Sequence, residues 1–251
     1  MSGRPDLVLA ALHWVEYLGL LSGIGAIVVR RLARISPTIG WGYPPMHIAL
    51  GIAFAGGLAV VSFEALQAGS LPGWERLARV AAEGLAFLFC VRGMRFFIAP
   101  MALLAAVLLP FAGHAASVGG GAEFADAIHV LSAGMWGGGI VALAMLNPPG
   151  GWRGPEARAL LERFGGVALV AFVVTAMTGL LRASDQVHDL SGLWTTPYGV
   201  VLTLKSTGVA IMLVLSVLAW RRGLPVARVE AAVAVLVIAA TAVLASFPIR
   251  A

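Results

Sequence analysis

Long apolar runs follow one another along the whole chain, separated by short clusters of arginine, proline and glycine. Most runs are about 20 residues long, the length that an α-helix needs to cross the hydrocarbon core of a bilayer. The pattern therefore predicts an all-α bundle of about eight transmembrane spans in a single domain, residues 1–251. The spans are expected near 7–29, 46–68, 77–92, 96–117, 123–146, 164–183, 198–220 and 228–247.

Two segments need a closer interpretation. The segment 92–95, Arg-Gly-Met-Arg, divides the third and fourth runs, and Pro100 follows it. Two charges, a glycine and a proline favour two antiparallel helices, with one long kinked helix as the alternative. From Arg153 to Phe164 apolar residues recur at helical spacing between charges. This spacing predicts a short amphipathic helix on the inner membrane surface, before the sixth span.

Arginine is distributed unevenly between the two sides of the predicted bundle. Because basic loops stay in the cytoplasm, the richer side is expected inside and both termini outside. The poorer side has five arginines: Arg4, Arg76, Arg79, Arg182 and Arg250. The richer side has eleven: Arg30, Arg31, Arg34, Arg92, Arg95, Arg153, Arg158, Arg163, Arg221, Arg222 and Arg228.

Composition agrees with a membrane protein and excludes several other classes. Hydrophobic residues make up 60% of the chain and charged residues 12%, against about 25% charged residues in soluble domains. The net charge of +5 is accounted for by the inner loops, so no nucleic-acid partner is expected. The single cysteine, Cys90, excludes a disulfide framework within the chain. No soluble-type catalytic motif is present, and the protein is not expected to be an enzyme.

Histidines are the main candidate functional residues, because ionisable groups at membrane depth are functional hypotheses by default. Only His47 falls on the inner side, where an interfacial role is expected. Imidazole with a nearby thioether and no thiolate suits copper. A structural role remains the alternative for any one histidine. The predicted metal ligands are four outward histidines and a methionine two turns inward of one of them: His13, His114, His129, His188 and Met135.

Other polar residues are predicted to support these ligands. Asp126 precedes His129 by three residues and is expected to orient its imidazole, or else to complement the helix N-terminus. Glu16 lies one turn from His13 on the same helical face. The only lysine, Lys205, lies about 10 Å into the seventh span, where it snorkels outward or pairs with a carboxylate. Its candidate partners are Glu16, Glu64 and Glu83.

The chain resembles the copper resistance D (CopD) family of bacterial inner-membrane proteins. The residues that carry the resemblance are Gly113-His114-Ala115, Asp126, His129, Trp136-Gly137-Gly138, Arg163-Phe164, Thr196, Tyr198-Gly199 and Lys205. Gly139 and Gly165 depart from the family pattern. The resemblance implies a multi-pass protein of the bacterial inner membrane that moves copper, often with a small periplasmic CopC-type copper carrier as its partner. It also adds Trp136 to the expected pathway residues.

Three functions are consistent with this pattern. The leading hypothesis is copper uptake, in which the outward histidines capture the ion and deeper polar residues pass it inward. A b-type cytochrome is the second, since histidines on facing helices can hold haem. The third is a non-transporting scaffold subunit of a larger membrane complex.

Overall fold

The computed structural model describes residues 4–112, 121–186, 191–222 and 227–247, and in these ranges every regular element is a helix. An all-helical membrane fold is thus confirmed. Of the eight predicted spans, six correspond to helices that are long and apolar enough to cross a bilayer. These are Leu7–Ala33, Met46–Ala68, Ala122–Ala144, Pro155–Leu181, Pro197–Leu218 and Arg228–Ala245.

The helices follow the predicted order, and their bounds are these: α1 Leu7–Ala33, α2 Met46–Ala68, α3 Trp74–Val91, α4 Arg95–Leu108, α5 Ala122–Ala133, α6 Gly139–Ala144, α7 Pro155–Gln186, α8 Gly192–Thr195, α9 Pro197–Arg222 and α10 Ala227–Ala245. A π-helical turn, Gly134–Gly138, joins α5 to α6 within one continuous span. A short 3₁₀ turn, Pro110–Ala112, follows α4.

Helix α1 occupies the centre of the bundle and packs against α2, α10, the π-helical turn and α6. Glycines permit this close packing. A Cβ atom added at Gly19 would overlap the backbone of Ala53 in α2, and one added at Gly25 would overlap the backbone of Gly138. Small residues at such crossings let helix backbones approach closely in a membrane, where no hydrophobic effect drives association.

Helices α3 and α4 form the antiparallel pair expected around segment 92–95, with Gly93 in the left-handed region at φ 71°. Neither meets the criteria for a candidate span. Helix α3 has four charged residues, Glu75, Arg76, Arg79 and Glu83. Helix α4 has 14 residues and is therefore about 21 Å long, shorter than the roughly 30 Å hydrocarbon core. Whether the chain has the expected eight spans therefore depends on whether α3 and α4 cross the membrane.

The predicted surface helix before the sixth span does not exist as a separate element. Helix α7 runs without interruption for 32 residues from Pro155 to Gln186. The apolar spacing was nonetheless informative, because Ala157, Leu160 and Phe164 are buried. Their helical period simply continues into the span, and no glycine–proline break divides the two.

Arg163 ties the start of α7 to the end of α1. Its guanidinium donates hydrogen bonds to the carbonyl oxygens of Leu32 and Ile35, both at 3.0 Å, and of Pro37 at 3.1 Å. The last carbonyls of a helix have no partners within the helix, so a basic side chain from elsewhere satisfies them well.

The two ends of the described chain lie together. The backbone N–H of Asp6 donates to the carbonyl oxygen of Ser246 at 3.1 Å. The Asp6 side chain caps α1 by accepting from the N–H groups of Val8 and Leu9. The hydrogen bond from Leu9 is the main cause that lowers the pKa of Asp6. The start of α1 and the end of α10 therefore lie at the same end of the bundle.

Candidate metal-binding cavity

A cavity of about 850 Å³ lies among α1, α5, α7, α9 and α10. Asp6, Gln67 and Ser246 line one end of it, here called the mouth, at the end of the bundle opposite the arginine-rich end of α1. Its floor includes Phe172 and Met212. Met212 is 15 residues beyond Pro197 on α9, which corresponds to a depth of about 22 Å. The cavity thus reaches well into the bundle without crossing it.

His13 lines this cavity from α1, and its side chain is almost fully buried. Its Nδ1 atom lies 3.3 Å from Oε2 of Glu16, and its ring stacks on Tyr17 with 5.2 Å between centroids. The predicted proximity of His13 and Glu16 on one helical face is present in the structure.

Glu16 is held in turn by Arg79 of α3. The Nε atom of Arg79 lies 2.9 Å from Oε1 of Glu16, an ion pair whose angle falls outside hydrogen-bond geometry. Glu16 is 0% exposed and Arg79 3%. Glu64 likewise pairs with Arg76, at 3.2 Å and nearer the mouth. Two of the three carboxylates considered for Lys205 are therefore paired with arginines of α3.

Glu83, the third carboxylate, lies beside Glu16 and is 1% exposed. A Cβ atom added at Gly57 of α2 would overlap the Glu83 carboxyl group, so that glycine makes room for it. Neither carboxylate oxygen of Glu83 has a hydrogen-bond partner among the described residues. Glu16, Glu83 and Arg79 form a buried charged cluster behind His13.

His129 lines the same cavity from α5. Its Nδ1 atom lies 3.1 Å from the carbonyl oxygen of Thr175 and 3.0 Å from Oγ1 of Thr178. A carbonyl oxygen only accepts, and the Thr178 hydroxyl already donates to the carbonyl oxygen of Val174. Nδ1 of His129 must therefore carry the proton, which leaves the lone pair on Nε2 when the ring is neutral.

The partners of His129 were missed at the sequence level. Thr175 and Thr178 of α7 lie beside Nδ1, and the role of Asp126 in orienting the imidazole stays a prediction. Thr175 also donates to Oγ of Ser132 at 2.8 Å, which extends the polar contacts along α5. The available signal was the spacing of three between two threonines in an otherwise apolar span, which puts both on one face.

Asp126 and Lys205 both line the cavity, and Asp126 is near enough to act on Lys205 electrostatically. Lys205 lies eight residues beyond Pro197, about 12 Å along α9. Among the described residues it makes no ion pair within 4.0 Å. The expected pathway residues Asp126 and Lys205 thus share the space that contains His13 and His129.

Trp136 and the methionines differ in their relation to the cavity. Trp136 lines it from the π-helical turn, 5% exposed, with its ring edge-to-face with Phe172 at 4.9 Å. Met135 instead packs against the hydrophobic core clusters. Met212, 1% exposed, is the methionine that lines the cavity floor. Sequence spacing could not select it, because methionines on buried helix faces share one pattern whether they pack or bind.

The remaining predicted ligands, His114 and His188, lie outside the described residues. His47 is exposed at the start of α2, as an interfacial residue would be. Within residues 4–112, 121–186, 191–222 and 227–247, no three His, Cys, Asp or Glu side chains approach closely enough to hold a metal ion. The described part of the chain thus supplies two cavity histidines and not a complete ligand set.

Part of the chain is similar to proteins of the family that the sequence motifs indicated. Residues 158–244 match the family model described as copper resistance protein D. A relative from Bacillus subtilis (strain 168), described as a copper transport protein, CutJ, is 35% identical over 127 residues. The alignment covers 48% of this chain and 23% of the relative. No solved structure matches the chain.

These matches confirm the resemblance to copper resistance D proteins, and the six candidate spans support a multi-pass membrane protein. The chain spans less than a quarter of the length of the curated relative. Both matched descriptions concern copper resistance or transport, and neither concerns haem or an enzyme.

Proposed function

Starting from this copper resistance D family resemblance, we propose that the protein binds copper in the outward cavity and transfers it into the cell across the bacterial inner membrane. One observation carries the proposal: His13 and His129, on different helices, line a single cavity that extends inward from one end of the bundle. Copper is here the transported substrate. Imidazole nitrogens, with thioether sulfur nearby, are a donor set that copper accepts.

Both histidines turn the same ring nitrogen, Nδ1, toward a polar group of the protein. In each, a fixed acceptor faces Nδ1: Glu16 for His13, and Thr175 with Thr178 for His129. Metal-binding histidines commonly donate one ring N–H to such an acceptor and bind the ion through the other nitrogen. The arrangement favours Nε2 of both rings as the copper ligands, completed by further groups that include His114 and His188 in our proposal.

A route inward follows the length of the cavity. Lys205 and Asp126 lie partway down, and Met212 lies at the floor beside Trp136. Thioether is a soft ligand that suits Cu(I). We assign Met212 the role of an inner relay ligand, whereas the sequence pattern had suggested Met135 as a thioether ligand together with the histidines.

The inward direction of transfer rests on charge. The cavity mouth lies at the arginine-poor end, whereas Arg30, Arg31 and Arg34 follow one another at the opposite end of α1. Because basic loops stay in the cytoplasm, the mouth faces the periplasm. A separate periplasmic copper carrier of the CopC type would then deliver copper to the polar mouth, where Asp6, Gln67 and Arg76 lie.

Cellular copper content tests this proposal. The double variant His13→Ala/His129→Ala is expected to reduce protein-dependent copper accumulation at least about tenfold, since two ligands are lost. His47→Ala, which removes an exposed histidine at the opposite end of the bundle, is the matched control and should accumulate copper normally. Copper is measured by elemental analysis at equal membrane levels of each variant. Unchanged copper accumulation in the double variant would contradict the proposal.

A further inference from the structure

The buried charged cluster behind His13 has a geometry that packing alone does not require. A carboxylate and a guanidinium in a membrane-buried site are costly to desolvate, and apolar residues of similar volume often serve stability as well. Glu16 and Arg79 are nevertheless 0% and 3% exposed. They form two successive contacts: Arg79 lies 2.9 Å from Glu16, and Glu16 lies 3.3 Å from Nδ1 of His13.

The two oxygens of the Glu16 carboxylate have different partners. Oε1 of Glu16 faces Arg79, and Oε2 faces His13. The guanidinium keeps its charge under all ordinary conditions, so it stabilises Glu16 as an acceptor-only carboxylate. A carboxylate oxygen at this distance from Nδ1 can form a hydrogen bond only if Nδ1 carries the proton.

We propose that Glu16 and Arg79 are positioning residues that hold His13 as its Nδ1–H tautomer and keep the Nε2 lone pair available to copper in the cavity. The inference rests on the proposed copper function and deepens it. His129 reaches the same tautomer through the neutral acceptor Thr175. His13 differs because its acceptor is the carboxylate of Glu16.

The backbone supports the same geometry. A Cβ atom added at Gly56 of α2 would approach the backbone nitrogen of Glu16 to 2.5 Å. Glycine therefore lets α2 close directly over Glu16. Tyr17, one turn beyond His13 on α1, stacks on the His13 ring. The ring plane and the acceptor of His13 are thus fixed by separate groups.

The tautomer itself can be measured without copper. Nitrogen NMR of protein labelled with ¹⁵N-histidine distinguishes Nδ1–H from Nε2–H imidazole, and the His13 signals are assigned by their loss in His13→Gln. The metal-free wild-type protein is expected to show His13 as Nδ1–H. A wild-type spectrum with His13 as Nε2–H overturns the proposal, whatever any variant does.

Variants then test the role of the cluster. Glu16→Leu/Arg79→Leu removes this ion pair as a unit, so that neither partner is left without the other. His13 is expected to lose its fixed tautomer, and copper affinity to fall by about 10- to 100-fold. The control is Glu230→Gln, a buried carboxylate of α10 that Ser216 contacts; it should change neither readout. A double variant with unchanged tautomer and affinity contradicts the proposal.

The two proposals fail in different ways. If the wild-type protein binds no copper, the proposed function is wrong, and so is the metal-facing role of His13, even with the tautomer as expected. If copper binds normally and the double variant alters nothing, only the positioning role of Glu16 and Arg79 is wrong.

Discussion

At the scale of single residues, sequence reasoning found the two cavity histidines and Glu16 beside His13, and it missed Arg79, Thr175 and Thr178. His13 and His129 stood out because imidazole is rare at membrane depth. Arg79 lies 63 positions from Glu16 in the chain, and it was counted among the outer-loop arginines. Only the packing of α3 against α2, which itself packs against α1, places it 3% exposed next to Glu16. Such a long-range ion pair has no local signature in a single sequence.

Arg163 illustrates a residue whose motif was recognised before its physical role. Three charge-assisted hydrogen bonds to carbonyls at the end of α1 explain it. Arg163→Met is expected to destabilise the protein by about 1.5–3 kcal/mol, because three carbonyl oxygens lose a charged donor. Thermal unfolding in detergent, followed by tryptophan fluorescence, measures the effect.

The matched control for this change is Arg158→Met, an exposed arginine one and a half turns earlier on the same helix. Its unfolding temperature should remain close to that of the wild type. Equal unfolding temperatures for the two variants would mean that the contacts of Arg163 do not stabilise the bundle.

At the scale of helices, the apolar runs predicted which helices exist better than the residues at which each helix begins and ends. The run near 123–146 corresponds to Ala122–Ala144, and the π-helical turn inside it has no periodicity signal over only five residues. The segment before the sixth span was assigned to a surface helix because charges interrupt it. Helical hydrogen bonding continues through those charges, since Glu156, Arg158 and Glu162 lie in the first turns of α7 and are exposed.

The crossing of α1 with the π-helical turn gives a prediction for this scale. A Cβ atom added at Gly138 would overlap the backbone of Leu21, which cannot move as a side chain can. Gly138→Ala is expected to destabilise the bundle by about 1–3 kcal/mol or more, as overpacking does. The measurement is the unfolding temperature of the purified protein.

Gly137→Ala is the neighbouring control, because nothing lies within 4 Å of a Cβ atom at that position. It should leave the unfolding temperature nearly unchanged. A Gly138→Ala protein as stable as Gly137→Ala would contradict the close crossing of α1 with this turn.

At the scale of the whole molecule, the position of the termini does not depend on the exact number of spans. The antiparallel pair α3–α4 adds two crossings or none, so either count leaves both ends of the chain on one side. The hydrogen bond from Asp6 to Ser246 places the ends of α1 and α10 together. The arginine asymmetry then assigns that side to the periplasm, an orientation that is still a prediction.

Cysteine labelling tests the orientation. In a Cys90→Ser background, Leu71→Cys lies in the α2–α3 loop, where Leu71 is 86% exposed. Arg92→Cys lies at the exposed end of α3, on the opposite side. In spheroplasts, a membrane-impermeant maleimide should label the cysteine at 71 and leave the cysteine at 92 unlabelled until the membrane is opened. The reverse labelling would place the cavity mouth in the cytoplasm.

Copper binding by the purified protein tests the central claim most directly. The chain with and without the His13→Ala/His129→Ala change is equilibrated with Cu(I) and washed free of unbound metal, and the retained copper is determined by elemental analysis. We expect the wild-type protein and His47→Ala to retain copper equally, and the double variant to retain little. Equal copper in the wild-type protein and the double variant would contradict the assignment of the cavity as the copper site.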